Sequence, residues 1–280
     1  MDNKMKRKGS DSLIAEKKNQ IVELPITEFV GINFITAMVP FYICLVIFLG
    51  ALYLFVEFLS LSLVYLSFIF PVLVFILYHL YILLMIEVCA LWVRIWNKKS
   101  PPRQGAFRRV LDDVKSAEGK MLKYYHRRGF IIKFPVWLSS KCPFPWMLNR
   151  ALRRIGHNTI DKNVIYCDGF PGLELTTLKK NSFIYPSSAI SSHSVQSIFG
   201  KITIKEVVIG KNAVLYPGCI AGPGAQMEDN FILHPNSGLP KDWRGNKEST
   251  HYIGMPGRPI EEKEIYKDFT KNTKDFTREK

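Results

Sequence analysis

The chain has 280 residues, room for one or two compact domains. A formal net charge of +14 stands beside 48% hydrophobic residues, which argues against an ordinary soluble enzyme. A basic surface next to something very apolar calls for a nucleic acid, an anionic membrane or an acidic, phosphorylated thioester as partner. The five cysteines, Cys44, Cys89, Cys142, Cys167 and Cys219, form no CxxC pair. Their placement speaks against a disulfide framework and for a reducing compartment around the C-terminal part.

Residues 1–27 are polar and basic, with no apolar core directly behind the charges, so they read as a flexible tail and not as a cleaved signal peptide. Residues 28–97 are almost continuously apolar, with Glu57, His79 and Glu87 as the main ionisable interruptions. One span needs roughly 20 residues. The run therefore predicts a transmembrane hairpin of two helices, about 33–57 and 63–94, turning near "FLSLS". Lysines and arginines precede and follow the hairpin and are missing from its turn. This puts both termini and everything after the hairpin on the cytoplasmic side. Trp92 and Trp96 suit the interfacial belt there. His79 and Glu87 read as structural groups, Glu87 being near enough to the interface to help pair helices between subunits.

Residues 98–150 read as a basic juxtamembrane helical linker. "GAFRRVLDDVKSAEGKMLKYYHRRG" is expected to be helical, and "PVWLSSKCPFPWMLNRALRRIG" adds Trp137, Trp146 and prolines. Such a surface suits anionic lipid, with tryptophans dipping into the bilayer. No nucleic-acid recognition motif accompanies the charge, so nucleic acid is not expected as a partner.

Beyond it a six-residue period emerges. From Ile209 the chain reads "IGKNAV LYPGCI AGPGAQ MEDNFI LHPNSG", and from Leu178 "LKKNSF IYPSSA ISSHSV"; "IGHNTI" from Ile155 opens the series. The first column is aliphatic (Ile209, Leu215, Ala221, Met227, Leu233; Leu178, Ile184, Ile190). The fifth is mostly small (Ala213, Cys219, Ala225, Ser237; Ser182, Ser188, Ser194), with Phe231 the exception. A period of six is neither helical nor a strand's alternation; it marks a parallel β-helix built of hexapeptide repeats. Three sixes close one triangular coil, each coil buries its core only by stacking, and about five coils fit between Ile155 and Leu239. "DGFPGLELTT", 168–177, fits the period poorly and is expected to be a loop or an irregular coil. The phase also breaks after Val195, so "QSIFGKITIKE" is expected to protrude as a loop or a distorted turn.

This pattern resembles the hexapeptide-repeat, left-handed β-helix acyltransferases. The closing "HYIGMPGRPI" is similar to their terminal signature, with Gly257 where alanine is usual, and "FPWMLNRALRRIGHNTIDKNV" resembles the lead-in of the acetyltransferase branch. The resemblance covers about 145–262. It implies an all-β left-handed β-helix domain over 151–262; the transmembrane hairpin and juxtamembrane helices read above precede it, outside the resemblance, and a charged tail, 263–280, follows. It also implies a homotrimer with sites between subunits, acetyl-CoA or another acyl-CoA as co-substrate, and a histidine base that deprotonates a hydroxyl or amine acceptor.

His193, at the fourth position of its six beside the break, is the candidate base. Asp168 or Glu174 would orient its imidazole. His234 is a weaker candidate, and His157 and His251 weaker still. The small residues of "AGPGAQ", Gly222, Gly224 and Ala225, would let the thioester's arm approach the backbone. Arg258, with Lys241 or Arg244, would meet its phosphates. No metal is expected: zinc chemistry on such a coil needs closely spaced histidines, and His193 and His234 are far apart. A non-catalytic trimeric scaffold at the membrane is the alternative.

Overall fold

A computed structural model describes residues 26–109, 115–167, 170–172, 174–196, 200–246, 248–261 and 263–265. Helix α1 (Ile26–Tyr53) runs into a π-helical turn (Leu54–Phe58), and α2 follows (Leu63–Lys99). Both are long and apolar enough to cross a membrane. They begin earlier or end later than the apolar run alone predicts, because a helix continues past its apolar stretch wherever other elements cover it. Large apolar side chains of α1 and of the first half of α2, such as Phe34, Phe41, Leu63 and Phe68, face outward. From Ile82 onward α2 changes character: Ile82, Ile86, Cys89, Ala90, Val93 and Trp96 are buried.

The burying elements are α3 (Ala117–Ile131), α4 (Lys133–Ser140) and α5 (Pro145–Arg154). Ser116 caps α3, its hydroxyl accepting from the Gly119 N–H at 3.0 Å. Pro145 opens α5 at its first turn, where a missing N–H costs nothing. The expectation of a helix from Gly105 needs correction. Gly105–Arg108 is a strand, β1, and the helix begins only at Ala117. Alternating burial along "GAFR" marks a half-covered strand, a pattern too short to see beside the neighbouring charges.

Three parallel sheets follow, each visited once per turn of the chain. The first face holds β2 (His157–Ile160), β5 (Glu174–Leu178) and β10 (Val207–Ile209), and continues as bridges through Gln226 and Arg244. The second holds β3 (Ile165–Tyr166), β6 (Phe183–Ile184), β11 (Val214–Leu215), β13 (Ile232–Leu233) and β15 (His251–Ile253). The third holds β4 (Phe170–Pro171), β7 (Ala189–Ile190), β12 (Ile220–Ala221) and β14 (Gly238–Leu239). Of the five rungs on the second face, β3, β6, β11 and β13 lie between Ile155 and Leu239, and β15 lies beyond that stretch. The segment expected to be irregular, 168–177, supplies β4 and most of β5. Its irregularity is a register shift against β2, with Leu175 at φ 55°.

The columns explain the stack. Leu178, Ile184, Ile190, Ile209, Leu215, Ala221, Met227 and Leu233 are all buried, as are Ser182, Ser188, Ala213, Cys219, Ala225, Phe231 and Ser237. Corners repeat as well. Asn181, Asn212 and Asn230 each adopt a left-handed backbone, and each amide donates to the next carbonyl oxygen, at 3.1 and 2.9 Å. Asn212 and Asn230 are 18 residues apart, one coil; Asn181 and Asn212 are 31 apart. The extra length is an excursion from the coil. The Lys205 N–H donates to the Ser192 carbonyl (2.8 Å), closing a hairpin of β8 (His193–Gln196) and β9 (Lys201–Ile204). The repeat therefore breaks before His193, not after Val195. Ser194 is not a fifth-column residue but lies in the hairpin, opposite Thr203.

β1 pairs antiparallel with the free edge of β9, making a three-stranded sheet, β1-β9-β8. Beneath it Met121 and Leu122 of α3 pack on Ile202 and Ile204. At the far end β16 (Arg258–Pro259) folds back on β15, and Phe231, Trp243 and Tyr252 plug the coil.

Candidate functional site

His193 begins β8 at the point where the chain leaves the coil, half-buried and facing α3. The Tyr125 ring meets its imidazole edge-on at 5.6 Å. The two lie in a cavity of about 270 Å³ between the hairpin, α3 and the start of α4, lined also by His126, Phe130, Lys133 and Glu174. Lys133 is held above the Phe130 ring, 5.1 Å from its centroid.

Burial lowers the pKa of His193, and the Lys133 ammonium lowers it further. Its imidazole is therefore neutral at pH 7, the form that can accept a proton. His126 is also held down, at about 4, by burial and then by the charge of Arg109, with His193 adding to this when it is protonated. Its buried Nε2 has no hydrogen-bond partner among the described residues. Burial also raises the Tyr125 hydroxyl.

Glu174 lines the same cavity, but its carboxylate engages Arg128. The guanidinium, 1% exposed, donates from Nε to Glu174 and from Nη1 to the Ser100 carbonyl (2.8 Å). Burial pushes the Glu174 carboxyl upward against the pull of Arg128. Glu174 thus ties the cavity wall to the exit of α2, and among the described residues no hydrogen bond joins it to His193. Asp168 lies outside the described residues.

Gly224 sits beside the base of the hairpin. Its backbone is left-handed (φ 82°), and a Cβ there would run into the Asp242 carboxylate. Asp242 in turn holds Lys205, at 2.7 Å to each oxygen. Lys241 Nζ reaches Thr203 on β9 at 3.3 Å, and Arg244 donates to the Gly224 carbonyl. Lys205, Lys241 and Arg244 therefore form a basic ridge beside the hairpin, suited in charge to a donor's phosphates. At Gly222 a Cβ would press on the Leu239 carbonyl at 3.0 Å. Ala225 is fully buried inside the coil, with its N–H bonded to the Gly222 carbonyl and its own carbonyl to the Val208 N–H, so it offers nothing to a ligand. Arg258 lies on β16, exposed and away from this ridge's contacts.

His234 and His251 form a separate pair on the second face, Nε2 to Nδ1 3.1 Å, stacked in line with Tyr216 and Tyr185. His157 is exposed at the start of β2. In α2, His79 bonds the Phe75 carbonyl through Nδ1 (2.7 Å) and packs on Phe144. Glu87 is bound within the chain by Arg150 and Arg154 of α5, each at 2.8 Å, where the sequence suggested pairing between subunits.

His126, Tyr125 and Lys133 are the cavity residues that sequence reasoning missed. They lie outside the repeat, and no period connects them to it.

No family model and no curated protein matches the chain. Among solved structures it is similar to a maltose O-acetyltransferase from Clostridium difficile 630, at 18% identity over 45% of this chain and 81% of that one, TM-score 0.32. It is also similar to a hexapeptide-repeat-containing acetyltransferase from Vibrio cholerae, at 15% identity over 49% of this chain and 88% of that one, TM-score 0.21.

Proposed function

We propose that this chain is a membrane-anchored acyltransferase that moves an acyl group from acetyl-CoA or another acyl-CoA to a hydroxyl or amine. The coil winds left-handed, α1 and α2 cross the bilayer as a hairpin with both termini on the cytoplasmic side, and three copies associate. The observation that carries the reading is His193, half-buried in the lining of a cavity where a hairpin interrupts the repeat. In the reaction the His193 imidazole takes the acceptor's proton as the acceptor oxygen or nitrogen attacks the thioester carbonyl. The C–S bond breaks, and the proton passes to the departing thiolate. The basic ridge of Lys205, Lys241 and Arg244 suits the donor's phosphates, and the half-buried Gly222 beside it leaves room for its arm to pass. Positioned general-base catalysis contributes about 10²- to 10⁴-fold.

The test is thiol release from acetyl-CoA with a panel of acceptors, using the full chain in detergent. His193→Ala should lower turnover within that range while leaving coenzyme A binding intact. Equal rates in the two proteins would remove the role from His193. A wild-type chain that binds no coenzyme A would point instead to a non-catalytic scaffold.

A further inference from the structure

The amphipathic helix α5 carries a second concave surface that the acyl-transfer reading does not use. A groove of about 520 Å³ is lined by Trp146, Asn149, Arg150, Arg153, Arg154 and Lys162. Asn149 builds its wall by donating to the Lys162 and Val164 carbonyls, at 3.3 and 2.7 Å, which pins the loop after β2 against the helix. Four cations converge there. Glu87 offsets one charge through Arg150 and Arg154, while Arg153 and Lys162 have no carboxylate partner among the described residues.

The groove's height relative to the spans is readable from packing. Phe144, stacked against Trp146, touches His79 of α2, at 4.9 Å between ring centroids. His79 marks the end of the outward-facing part of α2: Leu77 and His79 are already buried, and Ile82, Ile86, Cys89 and Ala90 follow. Leu63 to Ile82 is the roughly 20 residues that one crossing needs. Trp146, 53% exposed, therefore lies at the rim of the apolar belt, and Arg150 and Arg154 of the same helix reach Glu87, further along α2 toward its C-terminal end. An aromatic side chain at the rim with cations just beyond it matches the layering of a bilayer, acyl chains first and headgroup phosphates next.

We propose that this groove binds the phosphate-bearing headgroup of an anionic phospholipid, with Trp146 against the glycerol region and Arg153 and Lys162 on the phosphate. The proposal rests on the reading that α1 and α2 span the membrane. It identifies a lipid, not a substrate of the transfer reaction.

Lipid retention by the full chain in detergent, measured by native mass spectrometry during titration with phosphatidylglycerol or phosphatidylcholine, tests it. Phosphatidylglycerol should bind at least about tenfold more tightly. Arg153→Gln/Lys162→Gln should erase that preference without moving the thermal midpoint, because both side chains are exposed and support no core. Lys179→Gln, on the coil, should leave it unchanged. Equal affinity for the two lipids, or an unchanged preference in the double variant, would overturn the proposal. Displacement of the lipid by inorganic phosphate at comparable concentration would overturn the choice of a lipid over a free anion. A chain that stays soluble and monodisperse without detergent would refute the spanning reading, separately from these outcomes.

Discussion

Replacing Arg128 with methionine tests the packing of the whole assembly, because one guanidinium joins three elements. It bonds Glu174 of β5 and the Ser100 carbonyl at the exit of α2 from its own place on α3. Methionine fills the stem's volume and removes both bonds. Breaking a buried ion pair from one side strands a charge and costs about 3–5 kcal/mol. The orphaned Ser100 carbonyl adds about 1 kcal/mol. For a domain of this size each kcal/mol moves the thermal midpoint by about 2–4 °C, so a fall of about 10 °C or more is expected. The loss should shrink as pH falls, since protonating the stranded carboxyl removes the buried charge, and burial already raises its pKa. Arg128→Met/Glu174→Leu should recover most of the stability, because no charge is then stranded. Thermal unfolding of the detergent-solubilised chain, followed by intrinsic fluorescence, measures all three proteins. A midpoint for Arg128→Met within a degree of wild type, or a double variant no better than the single, would refute the reasoning.

Further outcomes concern the cavity and the coil. His126 is neutral in the fold, with a pKa of about 4 against 6.5 when free, so stability should be full above pH 6.5 and decline as pH falls toward 4. The drop is of order 3 kcal/mol, and denaturant titrations across that window should show it flattened in His126→Gln. Lys133→Gln removes a charge that disfavours the imidazolium, so the acid limb of the proposed transfer rate should move to higher pH, measured as a pH–rate profile. Gly210→Ala drives a Cβ into the Glu228 carbonyl on the next coil. It should destabilise the coil by about 1–3 kcal/mol in chemical denaturation, whereas Gly200→Ala, with open space around it, should lose less through packing.

The coil was legible because its physics is periodic. Each inward position is filled at fixed spacing, so Leu215 and Leu233 announce each other from 18 residues away. The two long apolar helices were legible for the same reason: a run of one composition shows without any partner segment. The excursion at His193 showed as a lost phase, yet its form did not. Strand pairing between β1 and β9 joins segments nearly a hundred residues apart, and nothing local in "GAFR" names its partner. The Arg128–Glu174 pair was hidden in the same way. Arg128 alone reads as a solvated charge and Glu174 as a partner for His193, and only the fold buries the two together. Tyr125, His126 and Lys133 meet His193 by a helix docking on a hairpin, which no spacing encodes. Within the coil, Gly224 was noted for openness, and its requirement proved to be the neighbouring Asp242 carboxylate.

The strand β1 carries a consequence for how portable this site is. The repeats form a self-contained prism, and a fragment beginning at residue 151 would keep every rung of it. That fragment would lose the strand covering β9, leaving a bare edge open to pairing with other copies. It would also lose Tyr125, His126 and Lys133, and with them one wall of the cavity. The segment that precedes the repeats is thus a structural part of the pocket as well as, in the proposed function, its tether. Grafting the prism onto another anchor would transfer the scaffold and leave the chemistry behind.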